Sequence, residues 1–226
     1  MSQLPLALKL KAHAAFTSFV AGPNGHALEH VRAVASRERP ESIWLFGSRH
    51  TGKTHLLAAA CREAGERGST AMYLAPDKGD DPGIVAELEA LDLIALDDMH
   101  RVSGLAAWEA ALFSLFDSRL QRGGLIVTGN APPRECGFDL PDLVSRAASM
   151  ALYRLEYLGD EDLEAAVFVH ARERGLSLDT AAVSYLLQRV SRDLGQLTGW
   201  LDRIDRHSLA EKRRVTIPLL REVIGP

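Results

Sequence analysis

Up to about residue 155, short and nearly unbroken apolar runs alternate with stretches whose apolar residues recur every three or four positions. The runs Ile43–Phe46, Thr70–Leu74, Leu91–Leu96, Leu125–Thr128 and Ala151–Leu155 predict strands. Between them, Ala27–Arg37, Lys53–Arg67, Ile84–Ala90, Gly104–Gln121 and Pro141–Ala147 predict helices. Strands apolar on both faces, separated by helices, predict an α/β fold with a parallel five-stranded sheet covered on both sides. Right-handed crossovers then bring the loops that follow the strands to one sheet edge, where ligands bind.

Beyond Leu158 the strand signal stops. Gly159 or Asp160 can cap a helix running to about Arg174, which Gly175 ends. Asp179 caps the next, with Val183, Leu186, Leu187 and Val190 on one face. Arg192–Leu209 is a third, and Thr216-Ile217-Pro218 opens a short fourth. The pattern divides the chain into a tail (1–12), an α/β domain (13–157) and a small all-helical domain (158–226).

The 226 residues suffice for one large or two modest domains, and 46% hydrophobic content is that of an ordinary globular protein. A net charge of −4 argues against coating nucleic acid by bulk charge. No apolar run is long enough to cross a membrane, and the N-terminus lacks the layout of a signal peptide. Cys61 and Cys136 stand far apart and read as reduced thiols, so a cytoplasmic protein is the simplest expectation.

Chemistry enters at Gly47-Ser-Arg-His-Thr-Gly-Lys-Thr54, the G-x-x-x-x-G-K-[ST] phosphate loop, set between a predicted strand and helix. Gly47 and Gly52 let backbone amides turn toward a di- or triphosphate. Lys53 reaches the β- and γ-phosphates, the Thr54 hydroxyl can sit on Mg²⁺, and the helix continuing through His55 aims its positive end at the anion. Arg49 and His50, at the loop tip, are expected to face solvent. The third strand ends Asp97-Asp98, an acidic pair in the Walker B position. Asp97 is assigned to the metal and Asp98 to the attacking water. Asp is a methylene shorter than the Glu more usual at the second place, which implies weak or absent intrinsic hydrolysis. At the end of the fourth strand, Asn130 is placed to orient water.

The order of phosphate loop, Asp-Asp strand, Thr128-Gly-Asn-Ala-Pro-Pro133, Leu140-Pro-Asp-Leu-Val-Ser-Arg146 and a helical lid with Arg192-Asp193-Leu194 resembles the AAA+ ATPases of the DnaA group. The resemblance covers nearly the whole chain. It implies a P-loop AAA+ domain followed by a lid, with Asn130 as sensor 1, Arg146 as an arginine finger acting in trans, and Arg192 as sensor 2. Ala15–Gly22, which includes Val20, resembles the segment near the adenine; Val20 and His55 are accordingly taken as nucleotide-binding. Met1-Ser-Gln-Leu-Pro-Leu-Ala-Leu8 resembles the Gln-x-x-Leu-x-Leu peptide that enters the pocket of the DNA polymerase sliding clamp, through Gln3, Leu4, Leu6 and Leu8. Together with Arg213–Pro218 at the lid end, this is similar to the Hda family of DnaA-related regulators.

That likeness implies a protein bound to ADP or ATP with Mg²⁺ and tethered to the clamp. It reaches DNA only through the clamp and stimulates hydrolysis of DnaA-bound ATP. Self-association through the tail is compatible with it. Two other classes share the core: an independent ATPase of helicase-loader type acting on single-stranded DNA, and a clamp-binding adaptor whose nucleotide serves stability. Elsewhere the readings are plain. Leu105, Trp108, Leu112, Leu115 and Phe116 form a core stripe, Arg119 and Arg122 read as surface, and His26, Glu29 and His30 lack the further ligand that zinc needs.

Overall fold

The computed structural model describes residues 14–225, with the side chain of Leu120 excepted. The expected clamp-binding residues Gln3, Leu4, Leu6 and Leu8 lie outside the described residues. Two compact units are present. One holds residues 14–16 and Asn24–Glu156, and the other holds Thr17–Pro23 and the chain from Tyr157 onward.

The first unit is built on five parallel strands: β1 (Ser42–Phe46), β2 (Ala71–Leu74), β3 (Leu93–Leu96), β4 (Leu125–Gly129) and β5 (Ala151–Arg154). Their order is β2-β3-β4-β1-β5. β1 lies between β4 and β5, with Trp44 beside Val127 and Leu152. Five helices cover the sheet: α1 (Gly25–Ala35), α2 (Lys53–Glu66), α3 (Ile84–Glu87), α4 (Ala106–Arg122) and α5 (Pro141–Ala148). Side chains alternate across the sheet, so Trp44, Ile94, Leu96, Leu125 and Val127 share one face. There they pack with Trp108, Leu112, Leu115 and Phe116 of α4 and Leu143 and Ala147 of α5. α1 and α2 lie against the opposite face. All of Ile43, Trp44, Leu45, Ile94, Leu96, Ile126 and Val127 are fully buried, which explains why these strands read as unbroken apolar runs.

Several boundaries depart from the sequence pattern. β3 begins at Leu93 because Asp92 is spent on a turn: its carboxylate accepts from the Thr70 amide and hydroxyl, each at 2.9 Å. The predicted helix over 84–90 breaks after Glu87 into a 3-10 turn, Leu88–Ala90. Thr17–Pro23, expected with the α/β domain, clusters with the helical unit. Gly22 (φ 47°) comes so close to that unit that a Cβ would lie 2.7 Å from Asp162 Oδ2.

The second unit is helical: α6 (Asp160–Glu173), α7 (Thr180–Arg189), α8 (Leu194–Glu211) and α9 (Ile217–Ile224). Asp179 and Asp193 cap α7 and α8 by accepting from the amides of Ala182 (2.7 Å) and Gln196 (2.9 Å). Its own core contains Leu163, Val167, Val183, Leu186, Leu197, Leu201, Ile204 and Leu219, all at the helical spacing that the sequence shows.

Candidate nucleotide site

The loop Gly47–Thr51 leaves β1 and turns into α2 through Gly52. Two glycines stand where a side chain does not fit. Gly52 has φ 99° at the N-cap of α2, and a Cβ on Gly47 would lie 2.4 Å from the Leu155 carbonyl oxygen. Thr51 Oγ1 donates to the Ser48 carbonyl at 3.0 Å and draws the loop closed. Lys53 Nζ donates to the carbonyls of Gly47 and Ser48, both at 2.7 Å. Burial holds the Lys53 ammonium below its ordinary pKa, while Asp98 and Asp97 act in the other direction. A buried cation at a helix N-terminus, under a loop of turned amides, is a site for a phosphate-bearing anion. Arg49 and His50 are exposed at the loop tip, as expected.

Parallel strands deliver the acidic residues to the same edge. Asp97 follows β3 directly and is buried at 3% exposure. Its Oδ2 accepts from the hydroxyls of Thr54 and Tyr73, both at 2.7 Å, and its Oδ1 accepts from Thr128 Oγ1 at 2.5 Å. The Asp98 amide in turn donates to Thr128 Oγ1 at 2.8 Å. Asp98 adopts the left-handed conformation (φ 56°), and its side chain is 40% exposed. The Tyr73 phenol is pushed well above its usual range, chiefly by burial and then by Asp97, and so stays a proton donor.

Asn130, one residue past β4, is exposed, and its Oδ1 faces the Cys136 thiol at 3.6 Å. Cys61 and Cys136 are both free thiols, and burial pushes Cys61 up to about 12. His55 Nε2 lies 2.9 Å from the Ala15 carbonyl, so this residue ties α2 to the segment ahead of α1. Arg146, on α5, pairs with Asp117 of α4. Arg192 and Val20 belong to the helical unit, where Arg192 Nη1 pairs with Asp160 at 2.7 Å. Lys53, Thr54, Asp97 and Asp98 are thus brought together around one strand edge.

Two participants were not singled out from the sequence. Tyr73 is the next-to-last residue of β2 and Thr128 that of β4, the neighbours of β3 on either side. A polar residue near the end of an apolar strand is the only trace either leaves. Arg119, read as surface, is buried at 2% exposure. It spends its guanidinium on the carbonyls of Leu88, Glu89, Leu91 and Gly123, capping the turn before β3. Glu109 is also buried, with its carboxylate accepting from the amides of Gly104, Asp139 and Leu140. It fixes the entry to α5, the helix that carries Arg146.

Residues 160–224 match the family model described as the Hda lid domain. The whole fold also superposes on solved DnaA structures. Replication initiator DnaA bound to AMPPCP and single-stranded DNA matches with a TM-score of 0.73 at 24% identity, over 90% of this chain and 69% of that one. AMPPCP-bound DnaA from Aquifex aeolicus matches at 0.73 and 25% identity, over 87% and 66% respectively. Domain III of Thermotoga maritima DnaA matches at 0.79 and 19% identity, over 99% of this chain and 100% of that one. The chain thus has the AAA+ fold of DnaA, with a lid of the Hda type over residues 160–224. In this AAA+ protein the α/β unit carries the phosphate loop and the acidic pair, and the second unit is the lid. Among the described residues, no helix is long and apolar enough to cross a membrane.

Proposed function

We propose that this AAA+ protein is a nucleotide-bound regulator that switches off the replication initiator DnaA. The observation that carries the reading is the Hda-type lid at 160–224, joined to a complete phosphate loop and a hydroxyl-bound Asp97. Nucleotide binding is supported by the AMPPCP held by the matching DnaA structures. ADP or ATP would lie along the Gly47–Thr54 loop, with Lys53 on its phosphates; the resemblance to the DnaA group adds His55, Val20 and Arg192 as nucleotide-binding residues. Thr54 and Asp97 fit Mg²⁺, since each offers a hard oxygen and the two lie 2.7 Å apart. When bound, the ion neutralises charge on the phosphates. Asp98 and Asn130 are the water-orienting residues.

In this reading the tail residues Gln3, Leu4, Leu6 and Leu8 tether the chain to the sliding clamp, and DNA is reached only through the clamp. Arg146 acts in trans on ATP bound to DnaA, stimulating its hydrolysis to ADP and so preventing re-initiation of DNA replication by a cytoplasmic, replisome-associated protein. The test is ATP hydrolysis by DnaA with clamp-loaded DNA, with and without this protein. Stimulation lost in Gln3→Ala/Leu6→Ala is the expected result. No stimulation by the intact chain overturns the proposal.

A second reading is supported by the single-stranded DNA bound to one matching DnaA. An independent ATPase of helicase-loader type would hydrolyse ATP alone and bind single strands with strong salt dependence. Lys53 and Thr54 are intact and compatible with it, while the net charge of −4 weighs against it.

A further inference from the structure

We infer that Tyr73 and Thr128 are positioning residues for the metal-bearing carboxylate Asp97, and that they set its affinity for a divalent cation. The inference rests on the reading of Thr54 and Asp97 as the Mg²⁺ pair. Asp97 has two oxygens, and both are engaged: Thr54 and Tyr73 donate to Oδ2, and Thr128 donates to Oδ1. The direction of these bonds is fixed by chemistry. A phenol has one proton and gives it to the carboxylate. Thr128 Oγ1 already accepts the Asp98 amide at 2.8 Å, so its own proton goes to Asp97. With its proton committed to Oδ2, the Thr54 hydroxyl keeps its lone pairs for a cation. Tyr73 and Thr128 hold the carboxylate from the two flanking strands, and thus fix the plane in which Oδ2 faces Thr54.

Such partners of a ligating carboxylate act on metal affinity more than on folding, and their loss typically costs 10–100-fold in binding. Neither residue touches the phosphate loop through a hydrogen bond among the described residues, so nucleotide binding without metal should not depend on them. Tyr73→Phe keeps the ring, and with it the packing at the end of β2. Thr128→Val keeps the branched shape within β4, and Thr128→Ser restores the hydroxyl.

The experiment titrates Mn²⁺ into the full chain with ADP, following free Mn²⁺ by electron paramagnetic resonance. A parallel titration measures ADP affinity in EDTA, and thermal melts report the fold. The expected result is a rise of about ten-fold in Mn²⁺ Kd for Tyr73→Phe and for Thr128→Val. Thr128→Ser should recover most of the loss, and ADP affinity in EDTA should stay within about two-fold. Unchanged Mn²⁺ affinity in both hydroxyl-deleted variants overturns the inference and leaves the nucleotide reading standing. If the unaltered chain binds ADP in EDTA yet gains nothing from Mn²⁺, the metal reading falls and takes this inference with it.

Discussion

The guanidinium of Arg146 on α5 lies 2.9 Å from the Asp117 carboxylate on α4, with the two side chains 45% and 52% exposed. An ion pair so open to water contributes about 0–1 kcal/mol and is readily exchanged for another anion. Arg146 is therefore available to a partner's phosphates at small cost.

Arg146→Ala is accordingly expected to leave stability within about 1 kcal/mol of the parent. It should abolish stimulated hydrolysis by DnaA, since arginine fingers are worth roughly 10³–10⁵ in kcat. Asp117→Asn should retain the stimulation. Phosphate release with clamp-loaded DNA, read beside a urea melt, checks both. Survival of stimulation in Arg146→Ala, with DnaA binding intact, would remove the finger assignment.

Glu109 anchors the start of the helix that carries that arginine. Its buried carboxylate takes three backbone amides, two of them at the entry to α5. Glu109→Ala leaves those amides without their partner, and a loss of roughly 2–4 kcal/mol is expected. Urea unfolding measures it. Because α5 loses its anchor, stimulation of DnaA should fall as well, although Glu109 does not reach the surface.

A third expectation concerns acid. The Thr70 amide and hydroxyl, with Arg37 and Arg119 adding their charge, hold Asp92 below its ordinary value of 3.8. Glu222 is likewise held below 4.5, chiefly by Arg213. A carboxylate with a depressed native pKa binds protons more weakly when folded than when unfolded. Its stabilisation is complete above the unfolded value and is lost as pH falls from there through the native one. Asp92→Asn should therefore lower Tm at neutral pH yet flatten the decline below about pH 4. A Tm series against pH decides this; parallel curves for the two proteins would contradict it.

The sheet and the phosphate loop were legible because both depend on local pattern. Buried parallel strands are apolar on both faces, and the glycines of Gly47–Thr54 answer a backbone requirement rather than a tertiary one. The capping aspartates of α7 and α8 are legible for the same reason. Tyr73, Thr128, Glu109 and Arg119 were not, because what each does depends on residues distant in sequence. Arg119 meets carbonyls some thirty positions earlier (|i−j| of 28 to 31), so a charged residue near a helix end looks like surface until the turn before β3 closes over it. Thr17–Pro23 falls with the lid through close approach at Gly22, and local sequence carries no sign of that.

Lys53 separates stability from binding. Lys53 is 8% exposed, and desolvation is the largest influence on its ammonium, so the folded chain carries a charge that burial disfavours. Lys53→Met keeps the aliphatic stem and removes that charge. The ligand-free variant should melt within about 2 °C of the parent, or above it, since sites that bind anions hold charge at the expense of stability. Nucleotide should act oppositely on the two proteins. At a hundred-fold excess over Kd, ADP stabilises the parent by about 2.7 kcal/mol through mass action alone. Lys53→Met lacks the cation proposed to meet the β-phosphate, and the same ADP concentration should leave its Tm nearly unmoved. Differential scanning fluorimetry with and without ADP reads both effects in one plate. A variant that is strongly destabilised without ligand yet still rises with ADP would assign Lys53 to folding and remove it from the phosphate site.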